Sequence, residues 1–371
     1  MRGKNLIRFF IVVLIFSNMS GMAPAQDWVK ILERIYPLGS PPGYEHRLIN
    51  EIKSFLDSRW LIQTDNLGSL IALSGEKIDY LMASPVDEIG YFVSGLTADG
   101  FIRIDRAINP PYRLFDNHLM GRAVIIWTKK GPVQGIVAQP AVHILTREKR
   151  EQLEKGVTLD DIFIDIGVRS EAEVRARGVE MLDAVTRERK LTFLGSRRLC
   201  GLALADKLFP SLLISAALKV QALKKTDGLS LAWVAQTRVN ARGVKGAQSL
   251  GLVNLKNRLE PKRTIILTGW PADEAGGEPK LGHGPLLAIG ESRPSALAES
   301  FIRLASAEKI NLQILPGRES PLLRPFQGQG NEAIILGVAI RDVATPAEAV
   351  SLDDINSLLK LINLWLERRP K

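Results

Sequence analysis

The chain has 371 residues, of which 46% are hydrophobic and 24% charged, with a single cysteine and a net charge of +9. This excludes a disulfide scaffold and a low-complexity chain, and allows a core that needs neither disulfide nor metal to hold it together. The positive charge is scattered, with Lys129-Lys130, Arg197-Arg198, Lys224-Lys225 and Arg368-Arg369 as its doublets and no aromatic-interleaved basic stripe, so nucleic acid is not an indicated partner.

Arg2, Lys4 and Arg8 precede the apolar run Phe9 to Phe16, and Ala23-Pro24-Ala25 supplies small residues where a signal peptidase reads. Residues 1–25 are therefore expected to be a secretory signal peptide, with a mature chain that starts near Gln26 and is periplasmic or extracellular. The apolar run is far short of the ~20 residues of a membrane span. The leader carries three of the positive charges, which leaves the mature chain at about +6.

Asp27 to Ile35 and Tyr44 to Trp60 are expected helices, the second from Leu48, Ile49, Ile52, Phe55 and Leu56 at helical spacing. Leu70 to Leu73 and Asp79 to Ala83 are short apolar runs bounded by turn residues, as buried strands are. From about Ser94 to Arg187 short strand-like runs such as Ala123 to Thr128 and Gly135 to Val137 predominate, with a charged helix at Arg147 to Gln152. A long helical pattern then runs from Leu208 to Lys224. Apolar strands follow at Ser230 to Ala235, Thr264 to Thr268, Leu286 to Ile289, Leu312 to Leu315 and Ala333 to Ala339, with helices at Ser295 to Glu308 and Asp353 to Leu366. Strands alternating with helices imply an α/β layered domain, a mixed sheet flanked by helices. The expected organisation is such a domain over 26–93 and 188–371, interrupted by a β-rich insertion over 94–187. Cys200 is expected to be buried, as free cysteines are.

Several stretches carry a resemblance: PPGYEHRLINEI from Pro41, DNLGSLIA from Asp65, DEIGYFVSGLTADGFIRI from Asp87, DIFIDIGVRSEAEVRARGV from Asp161, LGHGPLLAIGE from Leu281, LPG from Leu315 and RDVATPAEAVSLDDI from Arg341. Collinear from about Trp28 to Leu366, they resemble the tetrahedral or glutamyl aminopeptidases, co-catalytic metallopeptidases whose catalytic α/β domain is interrupted by a β-rich dimerisation domain. The resemblance implies a homo-oligomer, at least a dimer. It also implies a two-metal site whose ligands are nitrogen and oxygen donors, and a glutamate that moves the proton of a metal-bound water.

Carried over residue by residue, that site is not present. The family's His-x-Asp stretch reads Pro85, Val86, Asp87, so the aspartate that orients the histidine survives and the histidine is proline. The bridging aspartate aligns with Ala205, although a one-residue slip would bring Asp206 into the role. The Glu-Glu pair, base then ligand, aligns with Thr237 and Arg238, and an arginine is always protonated and cannot ligate a metal. The next aspartate aligns with Gly269, with Asp273 and Glu274 a few residues on. The last histidine aligns with Ala344. The histidines His46, His118, His143 and His283 fall elsewhere.

Three readings follow. One is a non-catalytic protein on the peptidase scaffold, with no metal, that binds peptide ends, assembles with itself or caps an active relative. A second is an active aminopeptidase with a zinc or cobalt site rebuilt from Asp206, Asp273, Glu274 and Asp87. A third is a different enzyme using Cys200 or Thr237 as nucleophile, which needs a base that neither has in sequence. Under the first, Arg238 is expected to enter the emptied site and pair with Asp87 or Asp206.

Overall fold

The computed structural model describes residues 27–369 apart from Glu76, Pro140, Lys245, Glu274, Gly276 and Gln329; the expected signal peptide, residues 1–25, lies outside them. Helices α1 (Asp27–Ile35) and α2 (His46–Lys53) lead into strands β1 (Leu61–Thr64), β2 (Leu70–Leu73) and β3 (Tyr80–Pro85). Next come β4 (Tyr91–Leu96), β5 (Ile102–Arg106), β6 (Ala123–Thr128), β7 (Gly131–Ala138), α3 (Arg147–Glu154), β8 (Phe163–Asp165), α4 (Glu171–Ala176) and β9 (Ala184–Arg187). The chain continues through β10 (Thr192–Leu194), β11 (Arg198–Gly201), α5 (Ala205–Leu223), β12 (Leu229–Val234), α6 (Leu250–Leu259), β13 (Arg263–Leu267), β14 (Trp270–Pro271) and β15 (Leu286–Ile289). It ends with α7 (Ala296–Ala307), β16 (Gln313–Leu315), β17 (Glu332–Gly337), β18 (Ala339–Ile340), β19 (Glu348–Ser351) and α8 (Leu352–Arg368).

Eight strands form one mixed sheet in the order β1-β2-β12-β3-β13-β17-β15-β16, in which β12, β3, β13 and β17 are mutually parallel. The pleat sends alternate residues to opposite faces. Tyr80 and Met82 of β3 and Leu229, Leu231 and Trp233 of β12 join the larger core with α1, α2, α5, α7 and α8. Leu81 and Ala83, with Ala232 and Val234, join the core under α6 and Phe326. Both faces being covered, these strands read as unbroken apolar runs. β4 to β9 close a separate six-stranded barrel, in the order β4-β5-β8-β7-β6-β9, around its own core.

Three expectations change. The helix expected over 44–60 spans only His46–Lys53: Ser54 closes it, and the Asp57 carboxylate accepts the Arg59 N–H at 3.0 Å in a turn that starts β1. α6 is a helix that the alternation of apolar runs did not reveal. Cys200 is half-buried rather than buried, because it lies in the small sheet β10-β11-β19, whose strand β10 is exposed along its length. No helix of the described residues is long and apolar enough to cross a membrane.

The chain crosses between sheet and barrel twice, after β3 and after β9. At the first crossing stands Glu88 and at the second Arg189, and they form a buried bidentate ion pair, with Arg189 Nη2 donating to Oε1 at 2.6 Å and Nη1 to Oε2. Lys207 of α5, fully buried, brings its Nζ within 3.4 Å of the same carboxylate and donates to Ser40 Oγ at 2.6 Å. The Ser40 N–H donates to Glu88 at 2.8 Å. Burial pushes the Glu88 carboxyl up, but Arg189 and Lys207 outweigh it and hold its pKa down at about 2. Removing one partner of such a cluster strands the others. Glu88→Gln should lower stability by about 3–5 kcal/mol in urea unfolding at neutral pH. The contribution of the ionised carboxylate is present above its unfolded pKa and is lost as pH falls toward 2, so the gap between wild type and variant should narrow in acid.

Candidate functional site

The parallel strands β3, β12 and β13 end on the same side of the sheet, where open α/β folds place their ligand crevices. A cleft of about 500 Å³ opens there. Its walls include Pro85 at the end of β3, Thr237 and Arg238 beyond β12, Gly269 beyond β13, and Ala205 and Asp206 at the start of α5. Ala344 lines a narrow passage of about 40 Å³ that shares Asp206, Arg238 and Glu348 with the cleft. The sequence positions aligned with the family's ligands and base therefore converge in one place.

Asp87 is buried and holds the next loop. It accepts the Thr237 hydroxyl on Oδ1 and the Arg238 N–H on Oδ2 at 2.7 Å. The Arg238 side chain turns back, donating from Nε to the Asp87 carbonyl at 3.1 Å and from Nη2 to Asp206 Oδ1. The guanidinium thus pairs with the carboxylate of Asp206, one of the two acids expected, and reaches Asp87 only at its main-chain carbonyl. Burial would lower the arginine's pKa, but Asp206 and Asp87 raise it, so a fixed positive charge stands in the cleft.

Glu348 completes the floor and was not singled out in the sequence, although it lies inside the stretch RDVATPAEAVSLDDI. It is 4% exposed and accepts the N–H groups of Ala205 at 3.0 Å and Ala344 at 2.9 Å. Leu204 offers no side-chain cap, so Glu348 serves as the N-terminal cap of α5. Burial, then the charge of Asp206, push its pKa up to about 7. Glu45, also unmarked in sequence, is pushed up to about 7 by burial and accepts the Gln236 N–H at 2.9 Å. These acids fix strained backbone: Gln236 and Ala344 have φ of 52° and 63°, a region that costs non-glycine residues of order 1–3 kcal/mol. Ala203 and Asp342, with φ of 50° and 56°, lie in the adjoining segments.

The remaining candidates are not brought in. Asp273 is exposed, accepts the N–H of Ala275 at 2.9 Å in its own loop and does not line the cleft. Glu274 lies outside the described residues. None of the four histidines lines the cleft. Cys200 does not line it either, and burial raises its thiol pKa.

The chain matches the M42 glutamyl aminopeptidase family over residues 68–361, most of its length. It belongs to that family. It is 24% identical to the lysyl aminopeptidase of Pyrococcus furiosus over 352 residues, covering 92% of this chain and 97% of that protein. The TET1 peptidase of Pyrococcus horikoshii superposes with a TM-score of 0.76 at 25% identity, covering 91% of this chain and 98% of that one. The TET aminopeptidase of the Thaumarchaeota archaeon SCGC AB-539-E09 superposes with a TM-score of 0.75 at 21% identity, covering 93% and 98%.

A two-metal centre does not fit the donors that this M42 chain presents. Pro85, Ala205 and Ala344 carry no donor atom, and Arg238 places a cation where a dication would be repelled. At Gly269 a Cβ would stand 2.4 Å from Ile340 Cγ1, so an aspartate there would collide with apolar packing. Among the described residues no three His, Cys, Asp or Glu side chains are grouped to hold a metal ion.

The acid pair sets a pH dependence. Glu348 and Glu45 bind a proton in the folded state at pH values where the unfolded chain has released it. Their contribution is full below the unfolded pKa and is lost as pH rises through about 7. Urea unfolding should show stability falling between about pH 5 and 8. Glu348→Gln should flatten its share, on the order of 1–3 kcal/mol.

Proposed function

We propose that this chain is a non-catalytic M42 protein that uses the aminopeptidase scaffold for binding or assembly. The observation that carries the reading is the Arg238 side chain, bonded to the Asp87 carbonyl and the Asp206 carboxylate where the family's motifs place metal ligands. Peptide ends, or an active relative, are the partners such a cleft would accept. The described assembly of the Pyrococcus horikoshii TET1 peptidase into a tetrahedron or a large octahedral shell supports a homo-oligomer, with the β-rich insertion expected over 94–187 as the dimerisation unit. The leader-like residues 1–25 support export of the mature chain.

The test is to purify the chain from Gln26 without chelators, measure bound metal, and follow aminoacyl-anilide hydrolysis with added zinc or cobalt. A folded oligomer with substoichiometric metal and no turnover is expected. Two metals per chain with chelator-sensitive turnover would instead establish a rebuilt site and an active aminopeptidase.

A further inference from the structure

A second cavity, of about 670 Å³, lies on the boundary between barrel and sheet and is lined by Arg122 at the start of β6, Arg187 to Lys190 at the exit of β9, and His118. Arg187, which is 8% exposed, is a buried cation on its wall. The Arg187 guanidinium forms no hydrogen bond or ion pair among the described residues, and its Nη1 is buried without a partner. Burial disfavours its charge. A buried guanidinium without an acceptor is rare and costly.

Two further nitrogens of residues that line the cavity are buried and unpartnered, His118 Nδ1 and Arg189 Nε. The nearby carboxylates are committed elsewhere: Glu88 to Arg189, Lys207 and Ser40, and Glu188 to Gln134 Nε2 at 3.1 Å. Arg187 is held in place by a ring instead, and His118 by the same ring and by the Tyr112 hydroxyl, 3.3 Å from its Nε2. Arg187 Cζ sits 5.0 Å from the centre of Phe115, and the His118 ring stacks on Phe115 at 6.0 Å with 21° between planes. Aromatic contacts of this kind fix a guanidinium without using its N–H groups.

We infer that Arg187, with His118 and the Nε of Arg189, forms a binding site for a small oxyanion, a carboxylate or a phosphate, and that Lys190 and Arg122 at the exposed rim draw it in. The planar guanidinium offers paired donors to either group. None of its residues lines the cleft itself, but Arg187 and Leu202 also line the narrow passage that adjoins the cleft at Asp206, Arg238 and Glu348.

The experiment is calorimetric titration of the mature chain with inorganic phosphate and, separately, with N-acetylalanine, on wild type, Arg187→Met and Lys190→Met. At least one anion should bind saturably at one site per chain. Preference for phosphate or for N-acetylalanine identifies the natural group. Arg187→Met should weaken binding about tenfold to a hundredfold, as loss of charged hydrogen bonds does. It should also unfold cooperatively with an unchanged or higher midpoint, since it removes a buried unpaired charge. Lys190→Met should weaken binding less and reduce its salt dependence. Absence of binding to wild type at millimolar anion, or binding unchanged in Arg187→Met, overturns the inference. Should Arg187→Met fail to fold, unchanged binding in both Lys190→Met and His118→Gln overturns it instead.

Discussion

The buried carboxylate of Glu88 ties the two crossings of the chain together. It is the point where sheet, barrel and α5 meet, through Arg189 and Lys207. Asp87 and Glu88 are adjacent and serve opposite ends: Glu88 closes the junction, while Asp87 holds the loop after β12 through Thr237 and the Arg238 N–H. Because the clamp fixes this dipeptide, the loop that carries Arg238 is fixed with it. Without the clamp, two cations would be left in a water-poor interior, at a cost that a domain of ordinary stability would feel throughout.

The cleft stands on the fold of the M42 family, and an arginine and an aspartate meet inside it. Left-handed backbone at Ala203, Gln236, Asp342 and Ala344 surrounds it, although none of these residues is glycine. Such strain persists where surroundings impose it, and here Glu45 and Glu348 do so from beneath. The interior between them is filled by a guanidinium on one side and by Ile340 against Gly269 on the other. On the proposed reading, carboxylates without a dication would repel one another, and an arginine beside the remaining acids would relieve that repulsion.

Much of this was legible in the sequence, for reasons that differ by element. The buried strands showed themselves because two covered faces demand unbroken apolar residues, as in β12 and β13. The ends of α2 did not, because a turn made by Asp57 and Arg59 overrode the apolar spacing of Phe55 and Leu56. Arg238 could be flagged because an arginine at a ligand position contradicts the chemistry, and its pairing with an acid followed from charge alone. Glu348 and Glu45 escaped notice because their roles are to hold backbone N–H groups brought from distant parts of the chain. Arg187 escaped for the opposite reason: its distinguishing property is the lack of a partner, which only packing reveals.

On the proposed reading a protein cation occupies the place of the metals. The decisive measurement is a crystal structure of the chain from Gln26, grown with zinc, with anomalous data collected at the zinc edge. The account predicts no anomalous peak in the cleft and the Arg238 guanidinium bonded to Asp206 and to the Asp87 carbonyl. Two peaks beside Asp206 and Asp87, with Arg238 turned out to solvent, would contradict it.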